Sequence, residues 1–182
     1  MTERTDPAVA VGEALRERGE TLAVAESLTG GLVGSRVTDV PGASTYFDRG
    51  YVTYAYDAKR ELLGVSRETL DDHGAVAGPT AREMAERARD HADTTWGLST
   101  TGVAGPGGGT DEKPVGLVFI GVAYAAPWGT EQSFSRSVRA SFDGDRDGIK
   151  RASAARALDE LARTLREVTG TGHADGSSDQ SM

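Results

Sequence analysis

Two stretches of this 182-residue chain deliver hydroxyls and glycines where an apolar run ends. In the first, Leu22-Ala23-Val24-Ala25 leads into Glu26-Ser27-Leu28-Thr29-Gly30-Gly31; in the second, Thr94 to Thr101 empties into Gly102-Val103-Ala104-Gly105-Pro106-Gly107-Gly108-Gly109. Each pattern predicts a buried strand that gives way to a helix start or a loop. A helix start presents free backbone N–H groups and partial positive charge, so it can receive a phosphate, a carboxylate or a developing oxyanion. The same residue types also serve plain helix capping. Two such junctions in one small domain point to a shared pocket, because ligands of open α/β sheets sit at the carboxyl ends of strands. Ser27, Thr29, Gly30, Gly31, Thr101 and Gly102 are therefore candidate substrate-binding positions.

A second constellation combines a serine with a lysine. The chain has 17 arginines and only three lysines, Lys59, Lys113 and Lys150, within a net charge of -8. Salt-adapted (halophilic) surfaces and GC-rich coding both favour such a balance. Either way the remaining lysines stand out, because Lys can surrender its proton when desolvated and Arg cannot. Ser44 precedes an aromatic strand from Tyr46, Tyr54 ends it and Lys59 follows in the next helix. Two readings stand on spacing alone. In one, Ser44 is a turn residue, Tyr54 fills a core edge and Lys59 is solvated. In the other, Lys59, lowered from about 10.4 toward ~7 to 8, activates Ser44 as a nucleophile while Tyr54 relays or positions the proton. Arg146, in Phe142-Asp143-Gly144-Asp145-Arg146-Asp147, either clamps an anionic group bidentately or pairs locally with Asp143 or Asp147.

Other chemistries find no support. The glycine loop lacks the Gly-Lys-Ser or Gly-Lys-Thr of a phosphate-binding loop and the spacing of a dinucleotide turn. Gly42-Ala43-Ser44-Thr45-Tyr46 lacks the second glycine of a hydrolase elbow. There is no cysteine, and His73, His91 and His173 have no metal-ligand spacing, so no metal site is expected. The acidic balance argues against a nucleic-acid binder. No apolar run is long enough for a membrane span and the first residues do not resemble a secretory signal, so a cytoplasmic protein is expected.

The elements that must position these residues alternate. Helices are expected over Asp6 to Arg18, from near Thr29 to Pro41-Gly42, over Asp57 to Leu63, from Gly78-Pro79, and from near Asp145. Strands are expected over Thr21 to Ala25, Tyr46 to Ala55, Thr94 to Thr101, Val115 to Tyr124 and, antiparallel and nearer the edge, Thr130 to Arg139. The pattern predicts an α/β fold: a three-layer α/β/α sandwich with a mixed sheet and a C-terminal β-hairpin followed by a helix, filling residues 1–169. Residues 170–182, a Gly/Ser-rich acidic segment, are expected to form a disordered tail.

These motifs resemble the C-terminal domain of the competence/damage-inducible protein CinA, a family that includes stand-alone nicotinamide-nucleotide amidohydrolases. The resemblance runs from about Val9 to Leu165. It is carried by Ala25-Glu26-Ser27-Leu28-Thr29-Gly30-Gly31, Phe47-Asp48-Arg49-Gly50-Tyr51-Val52-Thr53-Tyr54, His73-Gly74-Ala75-Val76, Thr101-Gly102-Val103-Ala104-Gly105-Pro106-Gly107-Gly108, Glu112-Lys113-Pro114-Val115-Gly116 and Phe142-Asp143-Gly144-Asp145-Arg146. It implies hydrolysis of nicotinamide mononucleotide to nicotinate mononucleotide and ammonia in pyridine nucleotide salvage, without a cofactor, by a homodimer that binds a small nucleotide and neither nucleic acid nor membrane. A non-catalytic nucleotide-binding or regulatory module is the alternative. By position, the resemblance implies Ser44 as nucleophile, Lys59 as general base and Tyr54 as assistant. Ser27, Thr101 and Arg146 would contact substrate, with backbone near Gly30, Gly31 and Gly102. Leu28 stands where the family usually has Cys, and Thr101 where it usually has Ser. The N-terminal domain of full-length CinA has no counterpart in this sequence, so the pyrophosphatase activity associated with that domain is not expected.

Overall fold

Alternating helices and strands build a five-stranded sheet in the computed structural model, which describes residues 5–170. The order along the chain is α1 (Pro7–Arg18), β1 (Leu22–Glu26), α2 (Leu32–Thr38), a single 3-10 turn (Ala43–Thr45), β2 (Phe47–Val52), α3 (Tyr56–Leu63), α4 (Arg67–His73), α5 (Gly78–Ala92), β3 (Trp96–Gly102), β4 (Leu117–Tyr124), β5 (Phe134–Ser141) and α6 (Arg146–Gly170). In space the strands run β2-β1-β3-β4-β5. β1 is parallel to both β2 and β3, while β4 is antiparallel to β3 and to β5. The sheet is therefore mixed and ends in the expected hairpin and helix. Of residues 170–182, all but Gly170, the last residue of α6, lie outside the described residues.

Alternation along β1 and β3 sends side chains to two cores. Leu22 and Val24, with Trp96 and Leu98, meet α1, α2 and α6 through Val11, Leu15, Val33, Leu158 and Leu161. Ala23 and Ala25 meet Leu63, Leu70, Met84 and Ala88 of α3, α4 and α5 on the other face. Helices thus cover both faces, which makes the third layer. The α5 layer lies unusually close because both surfaces are stripped of side chains. A Cβ on Gly97 would stand 2.0 Å from the Ala85 carbonyl oxygen, and one on Gly121 2.1 Å from that of Ala81. Helix α4 has no counterpart among the expected elements; its start is capped by Ser66, whose hydroxyl accepts the Thr69 N–H at 3.1 Å.

Because β1, β2 and β3 are parallel, their carboxyl ends share one rim of the sheet. Ser27 follows β1, Thr53 follows β2, and Thr101-Gly102 ends β3. The Ser27 N–H donates to the Thr100 carbonyl at 3.0 Å and the Thr53 N–H to the Glu26 carbonyl at 2.8 Å, locking the three strand ends together. No helix among the described residues is long and apolar enough to cross a membrane.

Candidate active site

Lys59 is the most unusual side chain at this rim. It projects from α3 toward the sheet, is 1% exposed, and is among the largest fully buried side chains of the protein. Its Nζ donates to the Ser27 hydroxyl at 3.0 Å, to the Thr53 carbonyl at 2.8 Å and to the Tyr54 carbonyl at 3.4 Å. All three acceptors are neutral, so no counter-charge offsets the loss of water around an ammonium. Burial accordingly pushes the Lys59 pKa down from 10.5 to about 8. The three acceptors suit the three N–H bonds of the ammonium form. In the amine form two N–H groups can keep the carbonyls while the lone pair faces the Ser27 hydroxyl.

Ser44 is not the partner of Lys59. It sits in the exposed 3-10 turn before β2, beside a surface depression lined by Thr38, Pro41, Gly42 and Phe47. Lys59 lies beyond the other end of the same strand. The six residues of β2 separate the two rims, about 20 Å at the usual rise per strand residue. The chain does not double back, because α3 begins at Tyr56, soon after β2 ends at Val52. The expected Ser44–Lys59 pairing is corrected to Ser27–Lys59.

Glu26 alters the expected role of the first glycine junction. Its carboxylate is buried and faces the start of α2. Oε2 accepts the Thr29 hydroxyl at 2.6 Å, the Gly31 N–H at 3.0 Å and the Val33 N–H at 3.1 Å, while Oε1 accepts the Gly34 N–H at 2.8 Å. The chain supplies its own anion to this helix start, which explains why Gly30 and Gly31 adopt positive φ there, at 58° and 100°. Thr29 is fully buried, and its hydroxyl also lies 2.7 Å from that of Thr100. Thr29 and the Gly31 N–H are thus held inside the turn and are not open to a ligand; Gly30 remains on the surface. In contrast, the N–H groups of Leu28 and Thr29 find no acceptor among the described residues.

Thr101 follows on β3 beside Ser27 and faces the same layer; it is buried and its hydroxyl donates to the Ala75 carbonyl at 2.6 Å. A Cβ on Gly102 would stand 2.5 Å from the Leu117 carbonyl oxygen, so that glycine permits the close approach of β4. Arg146, at the start of α6, reaches over the rim. Its guanidinium donates to the Tyr54 hydroxyl at 2.7 Å and to the Gly105 carbonyl at 2.6 Å. Of the two carboxylates expected as alternative partners, Asp147 pairs with Arg151. Ser27, Tyr54, Lys59 and Arg146 are brought together, and Ser44 is left out. No group of three or more His, Asp or Glu side chains among the described residues could hold a metal ion.

The fold and the site define an α/β domain with a buried serine–lysine pair at the carboxyl rim of its parallel strands. Residues 4–165 match the family model of the CinA C-terminal domain, and the chain belongs to that family. It is 50% identical over 155 residues to the CinA-like protein of Acaryochloris marina and 47% identical over 159 residues to that of Synechococcus elongatus, covering 85% and 87% of this chain. The chain spans only 36% and 37% of the length of those relatives. Among solved structures, the competence/damage-inducible protein CihA from Agrobacterium tumefaciens superposes with a TM-score of 0.79 at 35% identity, covering 90% of this chain and 97% of that one. A competence damage-inducible protein from Klebsiella pneumoniae gives 0.81 at 30% identity, covering 88% and 95%.

Proposed function

We propose that this chain hydrolyses the carboxamide of nicotinamide mononucleotide to nicotinate mononucleotide and ammonia, with Ser27 as nucleophile and Lys59 as general base, serving pyridine nucleotide salvage. The observation that carries this reading is the 3.0 Å contact between a buried amine and a hydroxyl at the strand-end rim. A lysine with no counter-charge and a pKa near 8 is available as a neutral base at ordinary pH. Neutral Lys59 takes the Ser27 proton as Oγ bonds to the amide carbon. The oxyanion is received by the unpaired Leu28 N–H, next to the nucleophile. The Lys59 ammonium then returns its proton to the departing nitrogen, the C–N bond breaks, and ammonia leaves an ester on Ser27. Water, deprotonated by Lys59, attacks the ester carbon, and the Ser27 oxygen leaves with the proton that Lys59 returns. Tyr54 and Arg146, bonded to each other, form the outer wall of the site.

Ammonia release by the purified chain tests this. Ser27→Ala and Lys59→Met should each lower the rate by roughly a thousandfold or more, since removing a nucleophile or its base disables the whole unit. Ser44→Ala should retain the parental rate. Full activity in Ser27→Ala would refute the mechanism. Binding of the nucleotide by the parent with no ammonia released would replace hydrolysis by the regulatory-module reading.

A further inference from the structure

The helix start that looks made for an anion, after β1, is already filled by Glu26. Its carboxylate takes the Gly31, Val33 and Gly34 N–H groups, so a second anion there would meet a buried negative charge. An anionic substrate must find its counter-charge elsewhere on the rim. The first two turns of α6 carry Arg146 and Lys150, one turn apart on the same face. Helix electrostatics oppose this arrangement, since cations near a helix start and like charges four residues apart are both unfavourable. Nearby carboxylates do not relieve it. Asp147 pairs with Arg151 at 2.7 Å and Asp145 accepts the Gly148 N–H at 2.8 Å, while neither Arg146 nor Lys150 forms an ion pair among the described residues. Farther along the same helix, Arg156 and Arg163 both pair with Glu160.

The position of the two cations is equally specific. The Lys150 ammonium lies 3.8 Å from where a Cβ on Gly30 would stand, above the turn that follows Ser27. The Arg146 guanidinium is anchored to Tyr54 and to the Gly105 carbonyl on the other side of the mouth. The glycine at position 30 keeps this space open, and its surface remains exposed.

We propose that Lys150, together with Arg146, forms the subsite for a phosphomonoester group of the substrate, and that Lys150 sets the preference for nucleotide over nucleoside. The guanidinium supplies a planar fork and the ammonium a mobile point charge, which together suit a dianionic tetrahedral group. The subsite rests on the amidohydrolase reading only for the choice of ligand.

Calorimetric titration of the full chain with nicotinamide mononucleotide and with nicotinamide riboside tests it. Lys150→Met should weaken nucleotide binding by about tenfold and riboside binding by less than about twofold, and Lys150→Arg should restore most of the loss. An unchanged nucleotide-to-riboside affinity ratio in Lys150→Met overturns the proposal, as does a parent that fails to prefer the nucleotide or does not bind it. Because the readout is binding, absence of ammonia release would refute the hydrolytic reading and leave this result to stand or fall separately.

Discussion

Replacing Lys59 by Met removes a buried ionisable group while keeping most of its length and an apolar stem. In the parent, the pKa of Lys59 falls from 10.5 to about 8 on folding because the ammonium loses water. At about 1.4 kcal/mol per unit, the folded state carries a penalty of about 3 kcal/mol whenever Lys59 must be protonated. Below pH 8 both folded and unfolded chains hold this proton and the penalty is present in full. Between pH 8 and 10.5 the unfolded chain still binds a proton that the folded chain has released, so parental stability rises with pH. Above 10.5 the penalty is gone. At any single pH, Met also leaves the Thr53 and Tyr54 carbonyls and the Ser27 hydroxyl without their donor, a loss of about 1 to 3 kcal/mol per buried group that opposes the gain. The change with pH separates the two, because only Lys59 titration differs between the proteins. Urea unfolding of parent and Lys59→Met at pH 7 and pH 10 should show the parent gaining about 2 to 3 kcal/mol relative to the variant. A difference that stays constant with pH would refute the buried, counter-charge-free amine.

The same titration governs catalysis: kcat/KM for ammonia release should rise about tenfold per pH unit below about 8 and level off above, because the base must be neutral. A profile flat from pH 6 to 9 would remove Lys59 as the base. Glu26→Gln should lower unfolding stability by about 3 kcal/mol in urea titration, because an amide cannot accept all four hydrogen bonds at the α2 start. Gly97→Ala should cost about 3 kcal/mol by the same assay, since its methyl would meet the Ala85 carbonyl at 2.0 Å and α5 would have to lift off the sheet.

Most of the architecture is legible in the residues because periodicity and punctuation agree. Apolar β1, β3 and β4 are buried along their lengths, and Gly78-Pro79 opens α5 where a helix tolerates both. Helix α4 escapes because Arg67–His73 is too short and polar to show a helical stripe; only Leu70 is buried. The site is legible in composition and not in pairing. The residues single out Lys59 as a candidate base that arginine could not replace, and Tyr54 and Arg146 as its candidate surroundings. Which serine faces Lys59 depends on β2 lying parallel beside β1, a long-range contact that spacing along the chain does not encode. One signal was present: Ser27 follows the carboxyl end of a strand, whereas Ser44 precedes the beginning of one, and ligand sites of such sheets form at carboxyl ends. The role of Glu26 is hidden for a related reason. A carboxylate ending an apolar strand looks solvent-facing until the following turn folds back over it and offers three N–H groups.

With Ser27 as nucleophile and Lys59 as its base, the Ser27 oxygen becomes acylated during turnover. Acid quenching of the full chain during turnover of nicotinamide mononucleotide, followed by peptide mass mapping, reads this directly. The expected result is the acyl group of the substrate, added with loss of ammonia, on the peptide containing Ser27 of the parent, and its absence from Lys59→Met. The same adduct on the peptide containing Ser44, with Ser27 unmodified, would contradict it.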